Sequence, residues 1–206
     1  MWPTEDNRAA WERRFAPSDA GPQLPGAVRE RLGDIGGKHV MQMPAAGGDV
    51  AAELIELGAL VTGIDPSEEA LAGARERVPG AAFFQAELHD IPLQLRRRRF
   101  SVVYAGEGAL ALVPDLGAWL ETVAAALRKG GRLMLCDIHP VAECLDPVGL
   151  RWRESYFDRR TAGDVVTAVA GSELRLDDVV EIPPSSKEQG DPRIPYVLLV
   201  VATKSG

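Results

Sequence analysis

The stretch of residues 39–66 constrains the fold of this chain more than any other part of the sequence. Its pattern predicts a short apolar strand at residues 40–43, a turn of small residues, a helix, a second apolar strand at residues 60–64, and then Asp65. Small residues let backbone N–H groups approach a ligand closely, and the helix N-terminus that follows favours electron-rich groups. A carboxylate at the end of the second strand can accept hydrogen bonds from ribose hydroxyls. This order of elements predicts a nucleoside site.

The rest of the chain continues the alternation of strand and helix. The further predicted strands are residues 82–85, 100–104, 132–137, 174–181 and 196–203, and the predicted helices include residues 7–15, 26–32, 66–77, 116–127 and 164–170. Such alternation predicts a single α/β domain with a doubly wound, mostly parallel sheet of seven strands. The long loop before the last strand favours an antiparallel strand at the edge of that sheet.

Composition limits the classes of partner and the compartment. A chain of 206 residues fits one domain with a buried core. The net charge of -7 argues against the backbone of a nucleic acid as partner, and the basic run at residues 96–99 is best explained as a solvated loop. No apolar run approaches the roughly 18 residues of a membrane span. The two cysteines are too few for a disulfide framework, so we expect a reduced, cytoplasmic protein without a membrane partner.

Four sequence blocks carry a family resemblance. They are Gly47-Gly48 after the first strand, VTGIDPSEEAL at 61–71, FFQAELHDIP at 83–92, and FSVVYAGEGALALVPDLGAWLETVAAALRKGGRLMLCDIHP at 100–140. With these blocks the chain resembles the class I S-adenosylmethionine-dependent methyltransferases, in their small-molecule group, over roughly residues 7–204. The resemblance implies a Rossmann-like fold, S-adenosylmethionine as the cofactor, and methyl transfer to a small molecule.

The resemblance also implies a division of the chain. Residues 1–36 are expected to form an N-terminal helical cap, because residues 7–15 are similar to the helix that covers the cofactor in this group. Residues 37–206 are expected to form the S-adenosylmethionine-binding methyltransferase domain, with an irregular segment for the substrate at about 140–162.

The first motif departs from the family pattern of an acid two residues before G-x-G-x-G. Gln42 stands in place of the acid, Pro44 and Ala46 replace the first two glycines, and Gly48 keeps its place. Alanine is small enough to preserve a close backbone approach. Pro44 has no N–H to donate, but its carbonyl can accept from the ammonium group of the cofactor.

The positions that match the family's cofactor residues are spread over five segments. By resemblance the cofactor-binding residues are Trp11, Pro44, Ala45, Ala46, Gly47, Gly48, Asp65, Pro66, Glu87, Leu88 and Gly106. Asp65 would bind the ribose, although an Asp-Pro-Ser sequence is also common turn chemistry. Glu87 would contact the adenine amino group, with Asp90 as a competitor for that role. Trp11 caps the cofactor with its ring or only packs its helix.

Two residues are candidates for catalysis because they follow neighbouring strands. Glu107 can orient the substrate or be an exposed loop acid, and His139 can be a general base or a structural histidine. Aromatic residues beyond His139 are candidates for the wall of a substrate pocket or for the core of an inserted cap: Trp152, Tyr156 and Phe157. Neither the histidines nor the cysteines have the spacing of metal ligands, so we expect no metal.

Two other functions are compatible with this sequence. A methyltransferase-fold protein can bind the nucleoside cofactor and act as a cyclase or as a binding module without methyl transfer, and the altered first motif keeps this alternative open. A nicotinamide-dependent oxidoreductase is a weaker alternative, because Pro44 and Ala46 fit the G-x-G-x-x-G fingerprint poorly.

Overall fold

The structure is a computed structural model that describes residues 23–97, 99–146, 151–185 and 191–206. The strands are β1 (His39–Met43), β2 (Leu60–Asp65), β3 (Ala82–Gln85), β4 (Phe100–Ala105), β5 (Leu127–Ile138), β6 (Leu174–Ile182) and β7 (Val197–Lys204). The α-helices in these ranges are α1 (Gly26–Leu32), α2 (Asp49–Glu56), α3 (Glu68–Arg77), α4 (Ala109–Leu112), α5 (Leu116–Ala126), α6 (Pro140–Glu143) and α7 (Ala162–Ala170). Short 3₁₀ turns lie at Leu93–Leu95 and Tyr156–Asp158. The helix predicted at residues 7–15 lies outside the described residues.

All seven strands form one sheet in the order β3-β2-β1-β4-β5-β7-β6. The pairs among β1 to β5 are parallel, whereas β7 is antiparallel to both of its neighbours. The single α/β domain with a mostly parallel, seven-stranded sheet is therefore confirmed. The edge position predicted for the last strand was wrong, since β7 lies between β5 and β6. Its continuous apolar run suits an interior strand, and the alternating burial of β6 suits the edge.

Local sequence explains where the helices begin and end. Ser67 and Asp115 precede α3 and α5, and each side chain accepts a backbone N–H of the first turn, from Ala70 at 3.2 Å and from Ala118 at 3.1 Å. The helix predicted at residues 116–127 ends at Ala126. Because Leu127 already pairs with Phe100 of β4, β5 begins at residue 127 and not at the predicted residue 132.

Helices cover both faces of the sheet, as a doubly wound fold requires. The side chains of α5 and α7 pack on one face, and those of α1 and α2 on the other. Leu24, Val28, Leu32 and Ile35 are buried in the second of these cores. The described part of the predicted cap, residues 23–36, is thus built into the core, and the division at residue 36 stays a prediction. Within the described ranges, every helix is too short or too polar to cross a bilayer.

Candidate functional site

A cleft opens at the carboxyl ends of the parallel strands, where ligands bind in open α/β sheets. Its walls come from the ends of β1, β4 and β5, from the start of β7, and from the loop before α1. The lining residues are Gln23, Pro25, Gln42, Pro44, Ala46, Val50, Tyr104, Gly106, Glu107, Cys136, Asp137, Ile138 and Val197. This part of the described chain brings together polar acceptors and apolar side chains but no lysine, arginine or histidine. The cleft therefore suits a ligand that carries hydrogen-bond donors or positive charge.

Gln42 lines this cleft and has an unpaired side-chain carbonyl oxygen. Its side chain is only 3% exposed, and its Nε2 donates to the carbonyls of Pro44 at 3.2 Å and Ala45 at 3.4 Å. These two acceptors fix the orientation of the amide, because the opposite orientation would place its oxygen against both carbonyls. Its Oε1 is buried without a hydrogen-bond partner among the described residues. Since an unpaired buried acceptor costs about 1–3 kcal/mol, this atom indicates a donor from a ligand.

The turn after β1 is shaped by tight packing. Gly48 has a φ of 86°, and a Cβ added there would lie 2.9 Å from the Cα of Ala74 in α3. Ala46 also has a positive φ, 46°, although it is not a glycine. Glycine is thus required at position 48, whereas Ala46 holds a conformation that glycine would adopt more easily.

Asp65 at the end of β2 holds this turn in place. Its two carboxylate oxygens accept the backbone N–H groups of Ala46 and Ser67, each at 2.8 Å. The side chain is fully buried, and burial raises the pKa of Asp65 to about 6 against these hydrogen bonds. Each oxygen keeps a second lone pair, but neither lies on the cleft as it stands. Ribose binding by Asp65 stays a prediction, while its contact with the turn is observed.

The residues predicted for the adenine side lie after β3. Leu88 is fully buried in the core, whereas Glu87 is half-buried and Asp90 is exposed. The carboxylate of Asp90, the other acid considered for the adenine contact, forms an ion pair with Arg96 at 2.6 Å. Glu87 is thus the better placed of the two acids, and its role stays a prediction.

On the other side of the cleft, Asp137 is the penultimate residue of β5 and holds the loop after β4. Its Oδ1 accepts the N–H groups of Gly108 and Ile138, and its Oδ2 accepts that of Leu110, all at 2.7 Å. Burial raises the pKa of Asp137 to about 7 despite these three donors. The loop held in this way contains Glu107 and Gly106, which both line the cleft.

His139, the other predicted catalytic residue, is tied into the structure at both ring nitrogens. Its Nδ1 accepts the N–H of Val141 at 3.1 Å, and its Nε2 lies 3.0 Å from Oε1 of Glu181 on β6. Burial lowers the pKa of His139. Because Nδ1 accepts an N–H, Nε2 is the ring nitrogen that can donate to Glu181. The ring does not line the cleft, and these contacts favour the structural alternative over the general base.

The predicted aromatic segment does not wall the cleft in this structure. Trp152 is 61% exposed and Phe157 is 83% exposed, and the rings of Tyr156 and Phe157 meet edge to face with centroids 5.4 Å apart. Arg160 instead ties the segment to the loop after β4, since its guanidinium donates to the carbonyls of Leu110, Val113 and Pro114 at 2.7–3.2 Å. Trp11 lies outside the described residues.

Comparison with known proteins gives a consistent result. The sequence model of a family described as a methyltransferase domain matches residues 40–131. An uncharacterized methyltransferase of Synechocystis is 28% identical over 146 residues, which cover 70% of this chain and 68% of that protein. A ubiquinone biosynthesis O-methyltransferase of Coxiella burnetii is 30% identical over 105 residues, half of this chain and 44% of that protein. A crystal structure of an S-adenosylmethionine-dependent methyltransferase from Mesorhizobium loti superposes with a TM-score of 0.71 at 24% identity, covering 86% of this chain and 95% of that one.

The methyltransferase-domain match and the similar structures are consistent with the class I S-adenosylmethionine-dependent methyltransferase superfamily. They support the predicted enzyme class and the predicted cofactor, S-adenosylmethionine. The matched residues 40–131 contain both the turn after β1 and the loop after β4. This chain differs from the family pattern in its first motif, where Gln42 replaces the acid.

The residues of this methyltransferase fit the methionine end of S-adenosylmethionine. The unpaired Oε1 of Gln42 needs a donor, and the cofactor carries an ammonium group at that end. Sequence reasoning noticed Gln42 only as a lost charge, because the fixed orientation of its amide depends on the fold of the turn. It missed Asp137, which lies at the carboxyl end of its strand as Asp65 does, and this parallel was available in the sequence. Nothing in the sequence indicates the contacts of Arg160.

Proposed function

We propose that this methyltransferase transfers the methyl group of S-adenosylmethionine to a small molecule bound in the cleft beside Glu107. The proposal rests chiefly on one observation: the turn after β1 and the loop containing Glu107 open on the same cleft. A cofactor held by the turn and an acceptor held by the loop would thus meet at the carboxyl ends of β1 and β4.

The turn and the strand ends would hold the cofactor. Gln42 would accept a hydrogen bond from the ammonium group through Oε1, and the small residues 45–48 would allow the close approach of the ligand. Asp65 fixes Ala46 and is the candidate for the ribose, and Glu87 and Leu88 are the candidates for the adenine. When bound, the cofactor supplies an electrophilic methyl group on a sulfonium sulfur.

The chain itself would align the acceptor and take its proton. Alignment in a water-poor site accounts for much of the rate in such displacements. Pro44, Val50, Ile138 and Val197 provide apolar walls that exclude water from the cleft. Glu107 is the acid at the acceptor side, and we propose that it orients the nucleophile and receives its proton.

Oxygen nucleophiles are the first acceptors to test. One relative is named as a ubiquinone biosynthesis O-methyltransferase, and its aligned region covers half of this chain. An uncharged phenol or alcohol is compatible with a cleft that has acceptors and apolar walls, whereas an anionic acceptor would meet no lysine, arginine or histidine among the lining residues.

The first experiment measures binding and product together. Calorimetry with S-adenosylmethionine, S-adenosylhomocysteine and NAD should show binding of the first two only. Incubation with S-adenosylmethionine and a panel of small phenols, alcohols and amines should release S-adenosylhomocysteine, detected by mass spectrometry. Binding without release from any acceptor would favour the non-methylating alternative, and binding of NAD alone would overturn the proposal.

The second experiment separates the two predicted catalytic residues. Glu107→Gln should lower turnover by about 10²-fold while leaving the affinity for S-adenosylhomocysteine nearly unchanged. Glu76→Gln, at an exposed position of α3, is the matched control and should have no effect. If His139→Ala gives the large loss and Glu107→Gln does not, the histidine is the base and our assignment is reversed.

A further inference from the structure

The helix α4 is too short to stabilise itself. It has four residues, its N-cap Gly108 offers no side chain, and the N–H of Leu112 donates to the carbonyl of Gly108 at 3.3 Å. A helix of one turn leaves most of its end N–H and carbonyl groups without helical partners. Two side chains from distant parts of the chain supply those partners.

An acid satisfies the start of α4 and a base satisfies its end. Asp137 accepts the N–H groups of Gly108 and Leu110, and Arg160 donates to the carbonyls of Leu110, Val113 and Pro114. This arrangement also matches the charge preference of a helix, with an anion at its N-terminus and a cation at its C-terminus. Each side chain makes at least two charge-assisted hydrogen bonds to backbone groups of the same loop.

We propose that Asp137 and Arg160 are positioning residues that together fix the loop of residues 106–114 and so place Glu107 at the cleft. The assignment of Glu107 to the acceptor rests on the proposed function, but the pair holds the loop in either case. Asp137 belongs to β5, whereas Arg160 belongs to the segment that precedes α7. The geometry of the acceptor side therefore depends on the docking of residues 151–160, which are part of the segment of about 140–162 predicted to serve the substrate.

Ionisation of Asp137 should control how tightly its carboxylate holds the loop of residues 106–114. A carboxylate accepts from all three N–H groups, whereas a carboxylic acid has an O–H on one oxygen and loses acceptor capacity there. Burial raises the pKa of Asp137 to about 7, so the loop should loosen as the pH falls below neutrality. The charged and titratable groups that interact with Asp137 or lie beside it at the cleft are Tyr104, Cys136, Glu107, Glu143 and Arg160.

Amide hydrogen exchange of the full chain without ligand tests the proposal. Asp137→Asn and Arg160→Met should each raise exchange in the peptide of residues 106–114 by about tenfold. Arg160→Met removes three hydrogen bonds to that loop, and Asp137→Asn replaces one acceptor oxygen with an amide donor that faces a backbone N–H. A peptide covering β1 is the internal control and should change by less than twofold. Equal exchange of the loop peptide in the parent and in both variants would overturn the proposal.

The pH profile gives a readout that a merely structural role would not move. In the parent chain, protection of the loop peptide, corrected for the intrinsic pH dependence of exchange, should rise about tenfold between pH 5.5 and 8. Arg160→Met should keep this rise and Asp137→Asn should abolish it. If Asp137→Asn does not fold, the profile of the parent decides, since a flat profile rejects the role of Asp137.

Calorimetry with S-adenosylhomocysteine keeps the two proposals apart. Arg160→Met should bind this ligand within twofold of the parent, because Arg160 contacts only the acceptor side. A parent chain that does not bind S-adenosylhomocysteine would defeat the proposed function, and the exchange experiment would still accept or reject the positioning role.

Discussion

Asp65 and Asp137 occupy equivalent places in the two halves of the sheet, yet the loops that they hold are supported by different contacts. Each lies at the carboxyl end of a parallel strand, each is buried, and each accepts at least one backbone N–H from the loop that follows a neighbouring strand. The turn held by Asp65 is also packed against α3, where Gly48 meets Ala74. The loop held by Asp137 continues into a single helical turn that needs Arg160 as a second support.

In the proposed function, the turn after β1 is the cofactor side and the loop after β4 is the acceptor side. The turn is fixed by backbone contact with α3, and we refer to it as the rigid side. The loop after β4 donates one backbone N–H, that of Gly106, to the carbonyl of Met43 of β1. It forms further hydrogen bonds with the charged side chains of Asp137 and Arg160. The following predictions test whether the two sides depend on these different contacts.

The largest effect is expected on the rigid side. Gly48→Ala should reduce the free energy of unfolding by about 3 kcal/mol, because it places a Cβ against Ala74 and forces a left-handed conformation on a non-glycine residue. Urea unfolding measures the change, and binding of S-adenosylhomocysteine should be lost with it. Gly73→Ala is the matched control in α3. No neighbouring atom lies within 4 Å of its added Cβ, so it should stabilise by about 0.5–1 kcal/mol.

The next effect concerns stability against pH on the acceptor side. The pKa of Asp137 is about 7 in the folded protein and 3.8 as its ordinary value. For global unfolding, which exposes Asp137 to water, the folded state therefore binds more protons between these values. The contribution of Asp137 to global stability is complete below about pH 4 and declines until about pH 7, even though the protonated form holds the loop after β4 less tightly. Asp137→Asn should remove this decline, which is at most about 1.4 kcal/mol per pH unit. Parallel stability curves of parent and variant from pH 4 to 8 would contradict it.

Sequence reasoning located most of the fold because the strands have unambiguous apolar runs. β3 and α3 end at the predicted residues, Gln85 and Arg77. Helix N-caps such as Ser67 can be recognised from the type of residue alone. Sequence reasoning failed where a strand pairs with residues that are distant in the sequence. The interior position of β7 depends on pairing with β5 and β6, which no local pattern in a single sequence reports.

The candidate site shows the same division. Residues that face the cleft through local geometry, such as Pro44, Ala46 and Glu107, were predicted from the order of the motifs. The histidine at the end of β5 looked equally well placed, but its ring turns away because Glu181 of the edge strand and the N–H of Val141 occupy its nitrogens. Position in a motif predicts which strand end a residue follows, while its hydrogen-bond partners determine what it faces.

A smaller effect should separate the two sides by ligand affinity. Asp65→Asn keeps the shape of the side chain but replaces one acceptor oxygen with a donor, which faces a backbone N–H. The turn should lose a charge-assisted hydrogen bond, and the affinity for S-adenosylhomocysteine should fall about tenfold, or about 1.4 kcal/mol. Calorimetry should compare the affinity of this variant for S-adenosylhomocysteine with that of Arg160→Met. Equal affinities in the two variants would mean that Asp65 does not order the cofactor side.

The smallest effect is expected at Ala46, the residue with a φ of 46° in the turn. Ala46→Gly relieves about 1 kcal/mol or more of steric cost in the left-handed region. It also gives the unfolded chain more freedom, which costs about 0.5–1 kcal/mol, so a net gain of about 0.5 kcal/mol should remain. The N–H that donates to Asp65 is kept, and the affinity for S-adenosylhomocysteine should change by less than twofold.

Ala45→Gly is the natural control for that measurement, since Ala45 is fully buried and does not share the positive φ of its neighbour. It should destabilise by about 1 kcal/mol, because a buried methyl group is removed and no strain is relieved. Two adjacent alanines should thus respond to the same substitution with opposite signs in urea unfolding. If both variants lose stability equally, the turn carries no strain at Ala46, and alanine in the place of a family glycine is accommodated without cost.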